Sequence, residues 1–137
     1  CRGGKMDITL VPQGTFAERI RAGGAGLGGI LTPTGIGTEV SEGKRTEEVD
    51  GQTYLLEEPL HADFALIRGS VVDTLGNFQS FGTTNCWNTL MATAADHVIA
   101  SACKLVEKGK IDPHLVMTSG IFVDSIVKGE KEWNEVV

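Results

Sequence analysis

The chain has 137 residues, with 12 Lys+Arg against 18 Asp+Glu and a formal net charge of −6. That length allows one compact core and argues against two independent domains. An acidic chain with no basic block is a poor fit to a nucleic-acid backbone. No apolar run reaches the roughly 18 residues that span a bilayer, so neither nucleic acid nor membrane is expected as a partner.

Two features stand out. Glycine supplies 18 residues, about twice the usual share. The sequence opens on Cys1 rather than Met, which suggests a chain whose beginning is missing. The three cysteines, Cys1, Cys86 and Cys103, are widely spaced and form no C-x-x-C. They fit reduced thiols in a cytoplasmic setting better than a disulfide framework or a zinc site.

In chain order, Met6 to Val11 reads as a short buried strand ended by Pro12. Thr15 with Glu18 three residues later is a capping-box signature. Phe16, Ala17 and Ile20 place apolar groups on one helical face, and Gly23 is a C-terminal stop. Strand followed by helix is α/β grammar. From Gly23 to Thr38 the sequence predicts a long irregular loop. Asp50-Gly51 predicts a hairpin turn between strands at Thr46–Val49 and Thr53–Leu56. Phe64–Ile67 and Val71–Val72 read as strands, with Gly76-Asn77 turning the chain. Asn88 to Ala95 predicts a helix with an Asn cap. Val98–Ala100 and Leu115–Met117 predict further strands. Ile121 to Val127 suits strand or helix equally.

Gly24-Ala25-Gly26-Leu27-Gly28-Gly29 matches G-x-G-x-x-G, but a helix precedes it and Thr32-Pro33-Thr34 follows. A dinucleotide fingerprint needs a strand before and a helix after, so that reading fails on context. The glycines serve either a tight turn with positive φ or a loop whose backbone N–H groups approach a substrate closely. Five glycines between Gly23 and Gly29 exceed one turn's needs and favour the second. The Thr32–Thr38 hydroxyls can orient a carbonyl or carboxylate, although Thr-Pro and Gly are also ordinary turn residues. His61, His97 and His114 share no metal spacing, and no metal site is expected. Cys86, beside Trp87, reads as a small buried hydrophobe. The Glu42–Glu48 run reads as a solvated hairpin face.

The loop belongs to a longer string, V-P-Q-G-T-F-A-E-R-I-R-A-G-G-A-G-L-G-G-I-L-T-P-T-G-I-G-T, from Val11 to Thr38. This string resembles the α subunit of bacterial acetate/butyrate–acetoacetate CoA-transferases, of the 3-oxoacid CoA-transferase family. The similarity continues through Glu42-Gly43-Lys44, Asp50-Gly51, Leu56-Glu57-Glu58-Pro59-Leu60, Ala62 to Ile67, Asp73 to Asn77, Met91 to Asp96 and Ile121 to Asp124. It covers nearly the whole chain in order. The sequence departs at Asn85-Cys86-Trp87-Asn88-Thr89, where the family carries Arg-Asn-Phe-Asn-Pro and only Asn88 is kept. It departs again at Thr118-Ser119-Gly120, where the family has Thr-Pro-Gly. The family's early glycine-glycine-phenylalanine signature is absent.

The resemblance implies a three-layer, Rossmann-like α/β fold, mostly parallel, with the Thr38–Leu56 hairpin as an excursion. Residues 1–137 would be the later part of one α-subunit domain. It also implies exchange of CoA between an acyl-CoA and a short-chain carboxylate or 3-oxo acid. A glutamate forms an acyl anhydride and then an enzyme–CoA thioester. That glutamate lies in a Glu-Asn-Gly motif of a β subunit, within an α2β2 assembly. Glu-Asn-Gly does not occur here, so no catalytic nucleophile is assigned to this chain. CoA is a substrate, and no cofactor is implied. Gly24, Gly26, Gly28, Thr32, Thr34, Gly35 and Asn88 are the expected substrate-binding residues, lining an acyl pocket at the subunit interface. The alternative is a catalytically silent scaffold that shares the fold.

Overall fold

The computed structural model describes Gly4 and residues 8–129. The strand expected at Met6–Val11 begins outside the described run, and residues 8–12 carry no regular structure. Helix α1 spans Gln13–Gly24. It starts on Pro12, whose carbonyl accepts from Phe16 N at 2.9 Å. The capping box is therefore not used: Thr15 lies inside the helix, 5% exposed, and no side chain caps the N-terminus. Proline fixes φ near its helical value, so the chain enters the helix three residues earlier than Thr15 as a cap suggests.

The end of α1 is a complete Schellman motif. Leu27 N donates to Ala22 O at 2.9 Å, and Gly26 N donates to Gly23 O at 3.2 Å. Gly26 sits between them at φ +67°, where a glycine carries no Cβ penalty.

Strands β1 (Ile30–Thr32), β2 (Thr46–Val49) and β3 (Gln52–Glu57) form an antiparallel sheet in the order β1-β3-β2. The predicted hairpin is present. Val49 pairs with Gln52, and the two loop residues Asp50 and Gly51 both have positive φ. That is the primed turn whose twist matches paired strands. The expected irregular loop differs in one respect: it contains β1, which pairs Ile30 with Glu57 and Thr32 with Leu55. The hairpin is thus two-thirds of a separate small sheet.

The second sheet has the order β5-β4-β6-β7. It comprises β4 (Ala62–Asp73), β5 (Phe78–Gln79), β6 (Ala95–Val106) and β7 (Ser125–Lys128). β4–β6 and β6–β7 are parallel, while β4–β5 is antiparallel. The two short strands expected around Arg68 to Ser70 are one continuous strand. The strand expected at Leu115–Met117 is instead a 3-10 turn at Pro113–Leu115 followed by a single bridge from Thr118 to Phe78. The ambiguous Ile121–Val127 run splits into a 3-10 turn at Gly120–Phe122 and then β7.

Strand periodicity assigns the two faces of this sheet. Ala65, Ile67, Val98, Ala100 and Ala102 point into the core, against Met91 and Ala92 of α2 (Asn88–Thr93). Phe64 and Leu66 point the other way and are 61% and 70% exposed. Phe64 lies beside His97, with ring centroids 5.4 Å apart. Farther along this second face Ser70, Val72 and Cys103 are buried, so the exposure belongs to its start.

The turn after β4 is organised by one carboxylate. Asp73 Oδ1 accepts from Leu75 N and Asn77 N, each at 3.0 Å. Asn77 Oδ1 in turn accepts from Gly120 N at 2.9 Å. Gly120 packs so closely that a Cβ there would lie 2.2 Å from Leu75 O. This ties the C-terminal 3-10 turns to the sheet. Cys86 differs from expectation: it is exposed, whereas Cys103 is buried.

Candidate functional site

Two of the predicted site residues, Thr32 and Thr34, line a groove of about 610 Å³ between α1 and β1. Gly14, Thr15, Glu18 and Arg21 line the helix side, and Ile30, Leu31, Thr32 and Thr34 line the opposite side. Thr32 Oγ1 accepts from Thr34 N at 3.2 Å, which holds the turn and leaves the Thr34 side chain exposed. Arg21 Nε donates to Glu18 Oε2 at 2.7 Å, and a second guanidinium nitrogen bonds the same oxygen. That hydrogen bond holds the Glu18 carboxyl below the usual carboxylate range, with the Arg21 charge adding to it. The Arg21 guanidinium is raised by the same contact.

The groove therefore offers three hydroxyls, the Arg21 guanidinium paired with Glu18, and the first turn of a helix along one surface. Such a set can orient a carboxylate or carbonyl oxygen. Thr32 and Thr34 line it. Gly24, Gly26, Gly28, Gly35 and Asn88 are not among its lining residues.

Each of those has its own local reason. A Cβ on Gly24 would lie 2.6 Å from Thr93 O, so this glycine lets α1 pack against the end of α2. Gly26 is the Schellman residue. Its amide and those of Ala25 and Leu27 donate to helix carbonyls, so they are not free oxyanion donors. Gly35 has φ +95°, and a Cβ there would meet Val40 Cγ1 at 2.9 Å. Gly28 is different: it lacks a positive φ, and a Cβ would meet nothing within 4 Å. The described fold does not require glycine at Gly28.

Asn88 caps nothing; the N-terminal boundary of α2 falls at Trp87. Its side chain is a clamp on β4. Nδ2 donates to Arg68 O at 2.7 Å and to Ser80 Oγ at 3.2 Å, while Oδ1 accepts from Arg68 N at 3.4 Å.

Sequence reasoning misses Gly14 and Arg21. Gly14 also has open space around a notional Cβ, yet it occupies a helix, where glycine costs about 1 kcal/mol relative to alanine. A glycine that the fold does not need, in a groove wall, is the available signal.

A second concavity of about 400 Å³ runs along the start of β4 and is almost wholly apolar. Phe16, Ile20, Trp87 and Met91 form its walls, and the Phe16 and Trp87 rings lie 5.4 Å apart. It offers little for polar recognition. Among the described residues, no group of three His, Cys, Asp or Glu side chains is placed to hold a metal ion. No described helix is long and apolar enough to cross a membrane.

With this architecture in view, the chain belongs to the coenzyme A transferase family, whose model matches residues 1–129. It is 51% identical over 128 residues to the acetate CoA-transferase alpha chain of Escherichia coli (strain K12), covering 93% of this chain and 58% of that one. It is 50% identical over 124 residues to the acetoacetyl-CoA:acetate/butyrate CoA transferase alpha chain of Clostridium acetobutylicum, covering 90% and 57%. The chain thus spans a little over half the length of these curated relatives.

Among solved structures, the glutaconate coenzyme A-transferase of Acidaminococcus fermentans superposes with a TM-score of 0.81 at 17% identity. That match covers 93% of this chain and 47% of that one, and at this identity it speaks for the fold alone. An acyl-CoA transferase from Escherichia coli O157:H7, in a thioester complex with CoA, gives a TM-score of 0.75 at 25% identity, covering 87% and 27%.

The two segments that depart from the family's pattern touch each other. Thr89 stands where the resemblance leads one to expect proline. Its Oγ1 lies 2.9 Å from Thr118 Oγ1 and 3.2 Å from Met117 O. Thr89 thus meets the second segment at Thr118, the position that keeps the family's residue, and joins α2 to the bridge at Phe78.

Proposed function

We propose that this chain acts as the α-type subunit of a CoA-transferase that moves CoA between an acyl-CoA and a short-chain carboxylate or 3-oxo acid. The observation that carries this reading is the collinear match to relatives named as the alpha chains of such enzymes. In this reading the attacking glutamate comes from a β subunit, and CoA enters as substrate. The reaction would pass through an acyl anhydride and a glutamyl–CoA thioester. The chain's contribution is a wall of the acyl site: Thr32, Thr34 and Arg21 orient carboxylate or carbonyl oxygens, Gly14 leaves backbone open in the groove, and Gly28 leaves it open outside the groove. The assembly is an α2β2 complex in the cytoplasm.

The test is direct. The chain is combined with a partner subunit carrying Glu-Asn-Gly, and CoA exchange between acetyl-CoA and acetoacetate or butyrate is followed. Exchange that needs both chains supports the reading. A well-folded complex that exchanges CoA with no short carboxylate sinks it.

A further inference from the structure

Glu57 is deeply buried for a charged residue, at 2% exposed. An isolated carboxylate at such depth is strongly disfavoured unless paired. Lys44 Nζ lies 2.5 Å from Glu57 Oε1, and Arg19 Nη1 lies 4.0 Å from Oε2. The two cations come from different places. Arg19 is on α1, and Lys44 follows the turn after the Glu39–Ser41 3-10 segment.

Glu57 also belongs to β3, where it is the register partner of Ile30 in β1. Gly29, just before β1, lies so close that a Cβ would sit 2.8 Å from Glu57 O. Arg19 Nε additionally donates to Glu58 O at 2.6 Å, and Arg19 O accepts from Leu60 N at 2.9 Å.

The two walls of the groove are α1 and β1. Both are fastened to the short stretch at the end of β3: α1 through Arg19, paired with the Glu57 carboxylate and hydrogen-bonded to Glu58 O, and β1 through its backbone pairing with Glu57. We infer that Glu57 is the positioning residue of the groove, setting the separation of α1 and β1 from behind. It touches no substrate. It acts by holding Arg19 and Lys44 while its own backbone carries Ile30. Its part in turnover rests on the function proposed above; its part in the geometry does not.

The test begins with amide hydrogen exchange on the full chain. In Glu57→Gln, the protected amides of β1 and of the second half of α1 should exchange about tenfold faster or more. Amides of β4 and β6 should keep their rates. Unchanged β1 exchange in a folded variant overturns the inference. So does uniform acceleration everywhere, because that marks a role in global stability only. If Glu57→Gln does not fold, Arg19→Met removes the α1 side of the brace, and the same two patterns decide.

The CoA-exchange assay with the Glu-bearing partner is then read on the same variant. A fall in kcat of about tenfold, with β4 and β6 exchange intact, places the positioning role in turnover. Unchanged kcat overturns that role. An unaltered chain that shows no exchange activity overturns the proposed function instead, and leaves the hydrogen-exchange result to judge the brace.

Discussion

Asn88 and Arg68 are joined through one side-chain amide that both donates to and accepts from the backbone of a single strand residue. β4 pairs with β5 only at Val71 and Val72, so the stretch around Arg68 has no strand on that side among the described residues. The Asn88 amide takes the position a neighbouring strand would fill, giving Arg68 the donor and acceptor that a sheet edge otherwise lacks.

Asn88→Leu should therefore cost about 1–3 kcal/mol, the penalty for leaving buried backbone groups unsatisfied. Asn88→Asp keeps the acceptor, loses the donor to Arg68 O, and should be no better than Asn88→Leu. Urea denaturation of the three chains measures this. Equal midpoints for all three would show that the clamp contributes nothing.

The glycines near the end of α1 should separate in stability. Gly24→Ala drives a methyl into the Thr93 backbone and should cost about 1–3 kcal/mol. Gly26→Ala meets no atom but must hold a left-handed conformation, at roughly 1–2 kcal/mol. Gly28→Ala should leave the denaturation midpoint unchanged, and any loss of CoA exchange in it then reports on substrate approach alone. A destabilised Gly28→Ala would contradict the open space seen there.

Glu18 should titrate below the usual carboxylate range, because Arg21 hydrogen-bonds its charged form. A depressed folded-state value means that the pair's contribution is present above the unfolded value. It is lost as pH falls through the folded one. The pair is exposed at the surface, so the effect on stability is small. Carboxyl NMR titration of the chain and of Arg21→Met checks it: the Glu18 midpoint should rise in the variant. A midpoint that stays low would assign the shift to another cause.

The exposed start of the second face of the larger sheet should bind an apolar dye. Phe64 and Leu66 lie side by side along it, and contiguous exposed apolar surface of this kind is unusual on an isolated soluble protein. Leu66→Lys should lower anilinonaphthalene sulfonate fluorescence while leaving the midpoint of unfolding in place, because this side chain is outside the core. Unchanged fluorescence would locate the dye elsewhere, with the apolar cavity at Phe16 and Trp87 the next place to look.

What is legible in the sequence is what local chemistry decides. Asp50-Gly51 specifies its turn by backbone preference alone, and the hairpin forms with the predicted β2 bounds. β1 is not legible, because three residues carry no periodicity and their pairing is set by Leu55 to Glu57, far along the chain. Asn88 reads as a cap because the same short amide serves a helix end or a strand edge, and only the fold shows which backbone lies within reach. The glycine-rich loop reads as one unit. In the structure it resolves into close packing at Gly24, a helix terminus at Gly26, strand entry at Gly29 and an open position at Gly28. Thr32 and Thr34 line the groove, whereas Arg21 is hidden by its place in a helix whose other side binds the brace.

The long parallel ladder has a kinetic consequence. β4 and β6 are matched from Ala62 with Ala95 to Asp73 with Val106, so every rung joins residues 33 positions apart. A hairpin such as β2–β3 closes on its own turn within microseconds. The central ladder instead requires closure of the whole β5–α2 connection before its first rung can form. The speed at which this chain folds is therefore set by that one long-range encounter. Substitutions in the connection should slow folding more than equally destabilising ones in the hairpin.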